Sequence, residues 1–157
     1  MPRAPTTSDK RTNDLRVSLV NEQSRHPIDE EKLIEAVQAV VRDSPFTSAS
    51  ISLAIVDDAT MHQLNRQYLN HDYPTDVLSF LLQRAGDQLE GEVVVSSDTA
   101  KRSAAQFGWT PENELLLYVI HGTLHLVGYD DSQPDLLAEM RRQEQHYLSH
   151  FGLQPRY

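Results

Sequence analysis

The sequence contains no cysteine among its 157 residues. Disulfide bonds and thiolate zinc sites are therefore excluded for this chain. It also lacks an apolar run long enough to cross a membrane, and the residues after Met1 do not have the charged-then-apolar layout of a secretory signal peptide. We therefore expect a protein that makes no membrane contact and works in the cytoplasm.

Basic residues are scarce, since 14 lysines and arginines stand against 23 acidic residues for a formal net charge of −9. Proteins that bind nucleic acid usually neutralise phosphates with such cations, so this balance predicts weak affinity for free RNA unless the cations cluster. Candidates for a cluster are Arg66, Lys101 with Arg102, and Arg141 with Arg142. Composition alone favours a solvated helix face for each doublet.

Residues 1–14 are rich in proline, threonine and charge and contain almost nothing to bury, which predicts a disordered tail. Residues 15–157 are long enough for a single domain with its own hydrophobic core. The patterning of this domain predicts a series of elements: a strand over 15–20, a helix from an Asp29 cap to about Arg42, a strand over 50–56, a short helix after Asp58, a strand over 76–82, a polar turn over 84–90, a strand over 91–96, a helix capped by Ser97 or Asp98 that stops before Gly108, and helices over 110–127 and 134–150.

These elements predict an α+β fold in which about five helices pack on a mixed four-stranded sheet. The strand over 76–82 is apolar enough to be central. The helix over 110–127 begins at a capping threonine followed by proline and is apolar on almost every side. We expect this helix to be buried at the centre of a zincin-like fold, with Gly122 permitting close approach to the sheet.

Two histidines, His121 and His125, lie four residues apart on this helix. Positions i and i+4 share a helix face, so both imidazoles can reach one point. Gly128 can adopt a left-handed conformation that ends the helix and returns the chain, which would bring Asp131 to the same point. Two imidazoles and one carboxylate with a fourth position open form a catalytic zinc site, and we predict one Zn²⁺ per chain.

The spacing matches the metzincin pattern H-E-x-x-H-x-x-G-x-x-H but departs from it at two positions. Gly122 replaces the glutamate that would be the general base, which argues against ordinary zinc-peptidase chemistry. Asp131 replaces the third histidine and lowers the charge of a divalent site to about +1, so another oxygen-tolerant ion such as manganese is an alternative. Two core histidines satisfied by hydrogen bonds are the alternative without a metal.

The residues from His121 to Asp131 read H-G-T-L-H-L-V-G-Y-D-D. This segment resembles the H-G-x-L-H-L-x-G-Y-D-H signature of the YbeY family of bacterial endoribonucleases, and Asp131 is its single mismatch. Further blocks of the same family are similar to P-T-D-V-L-S-F over 74–80, to G-E-V-V-V-S over 91–96, and to the pairs Leu64-Asn65 and Glu114-Leu115.

The resemblance implies a metal-dependent endoribonuclease specific for single-stranded RNA. It further implies a role in maturation of the 16S rRNA 3′ end and in ribosome quality control, with rRNA and the small ribosomal subunit or its associated proteins as partners. It also implies the α+β fold that the elements predict.

A general base must come from outside the central helix, because Gly122 cannot supply one. Asp76 and Glu92 are the candidates, since they lie in the matching segments. Asp76 could instead cap the start of a strand, and Glu92 could instead orient a histidine. The family usually has an arginine at the position of Leu69, where it is thought to contact RNA; Arg66 or His71 could substitute for that cation.

The residues and the resemblance together predict a hydrolase acting on RNA phosphodiester bonds. A metal-dependent hydrolase of another class, such as a peptidase, is one alternative, and the absent H-E pair counts against it. A ribosome-associated factor without catalytic activity and with a structural metal is the other. It gains weight from Leu69, from Asp131 and from the acidic balance.

Overall fold

The computed structural model describes residues 14–69 and 75–154. The predicted tail and His71 lie outside these ranges, except for Asp14, which already belongs to the first strand. The described residues form, in order, β1 (Asp14–Asn21), α1 (Glu30–Arg42), β2 (Ser48–Val56), α2 (Asp58–Leu69), β3 (Val77–Ala85), β4 (Gln88–Ser96), α3 (Ser97–Phe107), α4 (Pro111–Val127) and α5 (Pro134–His150). The predicted α+β fold with five helices and a mixed four-stranded sheet is confirmed.

The four strands lie in the order β1-β2-β4-β3. Strand β2 pairs in parallel with β1 and β4, whereas β3 pairs antiparallel with β4. The prediction that the strand after Asp76 is central is therefore wrong, because β3 is an edge strand. Its apolar first half is covered by helices, and its second half is exposed, as Leu82 is at 60%. Hydrophobicity along a strand reports this burial and not the number of neighbouring strands.

The polar turn predicted over 84–90 is also wrong in extent. Strand β3 continues to Ala85 and β4 begins at Gln88, so the turn is a tight hairpin containing Gly86 with a φ of 61°. A β-bulge interrupts the pairing, since Leu81 is opposite Gly91 whereas Gln83 is opposite Glu90. Polar residues on both strands conceal this hairpin from a hydrophobicity pattern, because the strand ends project into solvent.

Helix α4 lies at the centre of the molecule, as predicted, and contacts α1, α3 and α5 as well as β3 and β4. Gly122 permits the close approach to the sheet. A Cβ at this position would lie 2.7 Å from Cγ1 of Val93 and 2.8 Å from Cγ2 of Val77. Real Cβ contacts are essentially never so short, so any side chain at this position would force the helix or the two valines to shift.

The helix caps follow the sequence at most ends. Asp29 accepts the N–H of Lys32 at the start of α1, and Thr110 accepts that of Asn113 at the start of α4. The predicted cap of α3 at Ser97 or Asp98 is wrong by one or two residues, because Ser96 accepts the N–H of Thr99 at 3.2 Å. Asp98 instead turns away from its own helix and accepts the N–H of Asp58 at 2.9 Å.

Candidate metal centre

Helix α4 carries both histidines on one face and ends at Gly128, as the sequence predicts. Gly128 has a φ of 118°, a left-handed conformation that glycine adopts readily. Its N–H donates to the carbonyl of His125, and the N–H of Tyr129 donates to the carbonyl of Leu124. These hydrogen bonds close the last turn and return the chain along the helix face, which brings Asp131 back toward the histidines.

Three ligand atoms converge at this point. The Nε2 atoms of His121 and His125 lie 3.1 Å apart. Oδ2 of Asp131 lies 3.4 Å from Nε2 of His121 and 3.5 Å from Nε2 of His125. A tetrahedral zinc ion with bonds of about 2.0–2.1 Å holds its ligand atoms roughly 3.3 Å apart. The three atoms therefore match one face of such a tetrahedron, and the partial exposure of all three side chains leaves access for a fourth ligand.

The other nitrogen of each imidazole contacts a hydrogen-bond acceptor. Nδ1 of His121 lies 2.6 Å from Oε2 of Glu144, and Nδ1 of His125 lies 3.0 Å from the carbonyl oxygen of Tyr129. A carbonyl can only accept, so Nδ1 of His125 carries the hydrogen, and an ionised Glu144 imposes the same tautomer on His121. Each neutral imidazole then presents an unprotonated Nε2 to the centre.

Two nitrogen lone pairs and a carboxylate oxygen thus face one another at close range. Such acceptors repel unless positive charge lies among them. Neutral imidazoles and a carboxylate are the donor set of zinc and of several other divalent ions, so the residues fit a metal ion. The chain can accommodate a cation here without moving any of the three side chains far.

Asp130 stands next to Asp131 in sequence but is engaged elsewhere. Its carboxylate accepts the N–H of Asp131 at 2.8 Å and the hydroxyl of Ser132 at 2.7 Å. The hydrogen bond from Ser132 and that from the Asp131 N–H lower the pKa of this exposed carboxyl. The turn after Gly128 therefore uses Asp130 to shape the backbone and directs Asp131 toward the histidines.

Glu144 contacts the candidate metal centre through Nδ1 of His121, and the sequence did not predict this residue. It lies on α5 and is 1% exposed, and its second oxygen accepts from Arg141 at 3.2 Å. A buried carboxylate that accepts from a metal-binding imidazole fixes the ring and raises its basicity. The available signal was the position of Glu144 four residues after Met140 and four before Leu148, on the otherwise apolar stripe of the helix.

A cavity of about 400 Å³ opens beside the two histidines along the edge strand β3. Asp76, a predicted site residue, lines this cavity together with His121 and His125. Oδ1 of Asp76 accepts the N–H of Val77 at 2.7 Å, which also makes it the strand-start cap that the sequence allowed. Leu69 lines the same cavity, and so does Arg84, the only lysine or arginine among its described lining residues.

The structure does not bring Glu92 to the histidines. Gly91 and Val93 both face α4, since a Cβ on Gly91 would meet Leu126 and Val93 contacts Gly122. Side chains alternate along a strand, so Glu92 between them points to the opposite face of the sheet. Neither of the roles considered for Glu92 is supported by this position.

Tyr118 lies one turn before His121 and is buried. Burial raises its pKa, a hydrogen bond with Ser103 partly offsets that rise, and the negative charges of Glu114 and Asp76 raise it further. The phenol is therefore neutral at physiological pH and places an uncharged donor near the Asp76 end of the helix face.

Most of the cations that the sequence proposed as a patch contact residues away from this cavity, and Lys101 lines a different cavity together with Arg102. Arg102 pairs with Asp58, Arg142 with Glu139, and Nη2 of Arg66 lies 3.2 Å from Nε2 of His62. The exception is Arg141, which reaches the metal centre indirectly through Glu144.

Known proteins of one family resemble this chain over most of its length, including the residues of the candidate metal centre. The family model described as Endoribonuclease YbeY matches residues 18–152. An Endoribonuclease YbeY from Rhodopirellula baltica is 45% identical over 115 residues, covering 72% of this chain and 59% of the relative. The corresponding protein of Salinibacter ruber is 39% identical over 141 residues, covering 85% of this chain and 90% of the relative.

A solved structure agrees with the fold. The solution structure of a Thermotoga maritima protein matches with a TM-score of 0.56 at 27% identity, covering 88% of this chain and 91% of that one.

Among the described residues, no helix has both the length and the apolar character that a bilayer span requires. The region matched by the family model includes both histidines, the returning loop and Glu144. This chain belongs to the YbeY family of metal-dependent endoribonucleases, RNA-cleaving hydrolases involved in the maturation of ribosomal RNA.

Proposed function

We propose that this chain holds one divalent metal ion, most simply Zn²⁺, between His121, His125 and Asp131 and uses it to hydrolyse single-stranded RNA. One observation carries the proposal: Nε2 of His121, Nε2 of His125 and a carboxylate oxygen of Asp131 face one another at 3.1–3.5 Å, while Nδ1 of each ring contacts a separate hydrogen-bond acceptor. When bound, a divalent ion supplies an activated water and stabilises negative charge on a phosphoryl oxygen. Manganese is the alternative ion, because the aspartate adds an oxygen ligand.

The protein residues supply orientation and proton transfer. Glu144 and the Tyr129 carbonyl hold the two imidazoles with Nε2 directed at the centre. We assign the role of general base to Asp76, whose carboxylate lies in the wall of the same cavity and would take the proton of the attacking water. Glu92 is assigned no part in the reaction, because its strand position directs it to the other face of the sheet.

The substrate in the cell is proposed to be the 3′ end of 16S rRNA, reached in the cytoplasm through the small ribosomal subunit or its associated proteins. The family assignment supports the rRNA substrate. The net charge of −9 supports delivery by a partner, since an acidic protein gains little affinity for RNA from electrostatics alone.

The two alternatives are not favoured. Gly122 stands where a peptidase of this spacing would have its glutamate base. A ribosome-associated factor without activity is not favoured either, because the relatives over most of this chain carry the name endoribonuclease.

A double variant, His121→Ala with His125→Ala, tests the metal centre. The matched control is His146→Ala with His150→Ala, a second pair with the same spacing on the exposed face of α5. Elemental analysis should find about one metal ion per chain in the parent and the control and none in the first variant. Cleavage of a single-stranded RNA should follow the metal content, in preparations from which contaminating nucleases have been removed. A metal-free parent, or cleavage that persists in the first variant, would refute the proposal.

A further inference from the structure

The charges around the cavity beside the metal centre balance one another, except for that of Arg84. Asp131 and Asp76 together offset the charge of a divalent ion, and Arg141 offsets the buried Glu144. Without a further cation the cavity would be formally neutral and would not attract the negative charge of a phosphodiester. Arg84 is the lysine or arginine that lines the described part of this cavity.

The β-bulge in β3 determines where Arg84 points. Val77 and Ser79 face α4: Val77 packs against Gly122, and the hydroxyl of Ser79 donates to the Gly122 carbonyl at 2.8 Å. Regular alternation from Ser79 would place odd-numbered residues on this face and direct Arg84 to the opposite side of the sheet.

Leu82 is the extra residue of the bulge, and it shifts the alternation of side chains in the residues that follow it. Beyond it Arg84 lies opposite Leu89, which is two residues from Gly91 and shares the α4 face with it. Directly paired residues project to the same side of a sheet, so the bulge moves Arg84 to the face that carries the histidines. Bulges beside functional sites commonly redirect a side chain in this way.

The guanidinium of Arg84 is held next to a metal ligand. Its Nη2 donates to the carbonyl oxygen of Leu126 at 2.8 Å, and Leu126 directly follows His125. That carbonyl belongs to the last turn of α4 and has no partner within the helix, so the hydrogen bond also caps the helix. A guanidinium has five N–H donors, so one hydrogen bond fixes its position and leaves others for a ligand.

We propose that Arg84 binds a non-bridging phosphate oxygen of the RNA and so positions the strand along β3 beside the metal centre. The inference rests on the proposed function, because the phosphate is that of the RNA substrate. Leu69, which lines the same cavity, offers no charge for this contact, and Arg84 supplies it from a different element. Arg84 is a substrate-positioning residue, and the helix cap to Leu126 is the means by which it is oriented.

The test measures binding of a single-stranded 2′-O-methyl RNA, verified to remain intact, to the metal-loaded protein at several salt concentrations. Arg84→Gln should weaken binding by about tenfold. It should also reduce the slope of log affinity against log salt by about 0.7, the value for one lost phosphate contact on a single strand. Arg84→Lys keeps the charge and should retain most of the slope while losing part of the affinity.

The matched control is Arg16→Gln, which removes the same charge from an exposed arginine, 83% accessible, on the opposite edge strand β1. It should leave affinity and slope unchanged. A salt slope for Arg84→Gln equal to that of the control would overturn the inference. Equal losses in Arg84→Gln and Arg84→Lys, accompanied by lost metal, would overturn it too, because Arg84 would then act only as a helix cap.

Elemental analysis and the cleavage assay test the proposed function separately from the salt-dependence experiment, which tests Arg84. A parent that binds metal and cleaves RNA, but whose salt slope does not depend on Arg84, refutes the role of Arg84 alone. A parent without metal and without cleavage refutes the proposed function, and the inference with it, through elemental analysis and the cleavage assay.

Discussion

At the scale of single residues, Glu144 decides which nitrogen of His121 is available to a metal. Its 1% exposure and the 2.6 Å contact with Nδ1 leave little freedom for the ring. Burying a carboxylate is unfavourable unless it is paired, and the contacts with His121 and Arg141 supply that pairing. Packing alone does not account for a charged residue at this buried position, whereas its contact with His121 does.

Glu144→Gln should lower metal affinity by about 10–100-fold, since a neutral amide no longer stabilises the required tautomer as a carboxylate does. Competition titration against a chromogenic chelator measures the change. Glu139→Gln is the control, because Glu139 forms an ion pair with Arg142 at the same spacing but is 42% exposed. Equal affinities for the parent and Glu144→Gln would contradict this role.

At the scale of secondary-structure elements, two glycines set the distance between α4 and the sheet. A Cβ at Gly122 would meet γ-methyl groups of Val93 and Val77, whereas one at Gly91 would meet Cδ1 of Leu126 at 2.8 Å. Valine is stiff about χ1, but the end of a leucine side chain can rotate away. The two sites therefore differ in how well they can relax.

Gly122→Ala should destabilise the protein by about 1–3 kcal/mol, the usual cost of overpacking. Gly91→Ala should have a smaller effect, because only Leu126 must move. Urea unfolding of both variants and the parent gives the comparison. Alanine is the better helix former by about 1 kcal/mol, so a stabilised Gly122→Ala would mean that helix propensity outweighs the clash with the sheet.

Most helices of this protein could be predicted from the sequence, whereas the edges of the sheet could not. Helix α5 begins at Pro134 and ends at His150 as expected, and α4 begins at its capping threonine. These limits are set by contacts within a few residues of the chain. The position of β3 in the sheet depends on which strand it pairs with. Neither its apolar first half nor its polar second half indicates that β4 is its partner.

At the scale of the whole molecule, a cluster of charged and hydroxyl side chains links three elements at the end of the sheet where β2 and β4 lead into α2 and α3. Asp58 at the start of α2 accepts from Ser96 and from Thr99, at 2.6 and 2.8 Å. Asp98 of α3 lies 3.0 Å from Nε2 of His26, which precedes α1. The cluster therefore ties α2, α3 and the approach to α1 to one another.

Both carboxyls of the cluster have lowered pKa values. Burial alone would raise the pKa of Asp58, but hydrogen bonds from Ser96, Arg102 and Thr99 outweigh it and lower the pKa. Burial likewise opposes the hydrogen bonds that lower the pKa of Asp98. A carboxyl whose pKa is lower in the folded state stabilises the fold above its unfolded value, and this contribution is lost as pH falls through the folded pKa.

Asp58→Asn should reduce the free energy of unfolding at pH 7 by about 1–3 kcal/mol. It should also make the decline of stability below about pH 4 less steep than in the parent, since one of the protonating groups is gone. Thermal unfolding across pH 2–7 checks both expectations, with exposed Asp14→Asn as the control. A parallel loss of stability at every pH would exclude the titration of Asp58 as the cause.

The sequence by itself determined the convergence of His121, His125 and Asp131. Helical spacing places the two imidazoles together and a left-handed glycine returns the chain, so short-range geometry suffices. Only the tertiary structure decided the roles of Glu144 and Arg84, which reach the site through the packing of α5 and the register of β3. Contacts between residues far apart in the chain depend on how elements pack, and one irregular strand position reverses the face that a side chain occupies.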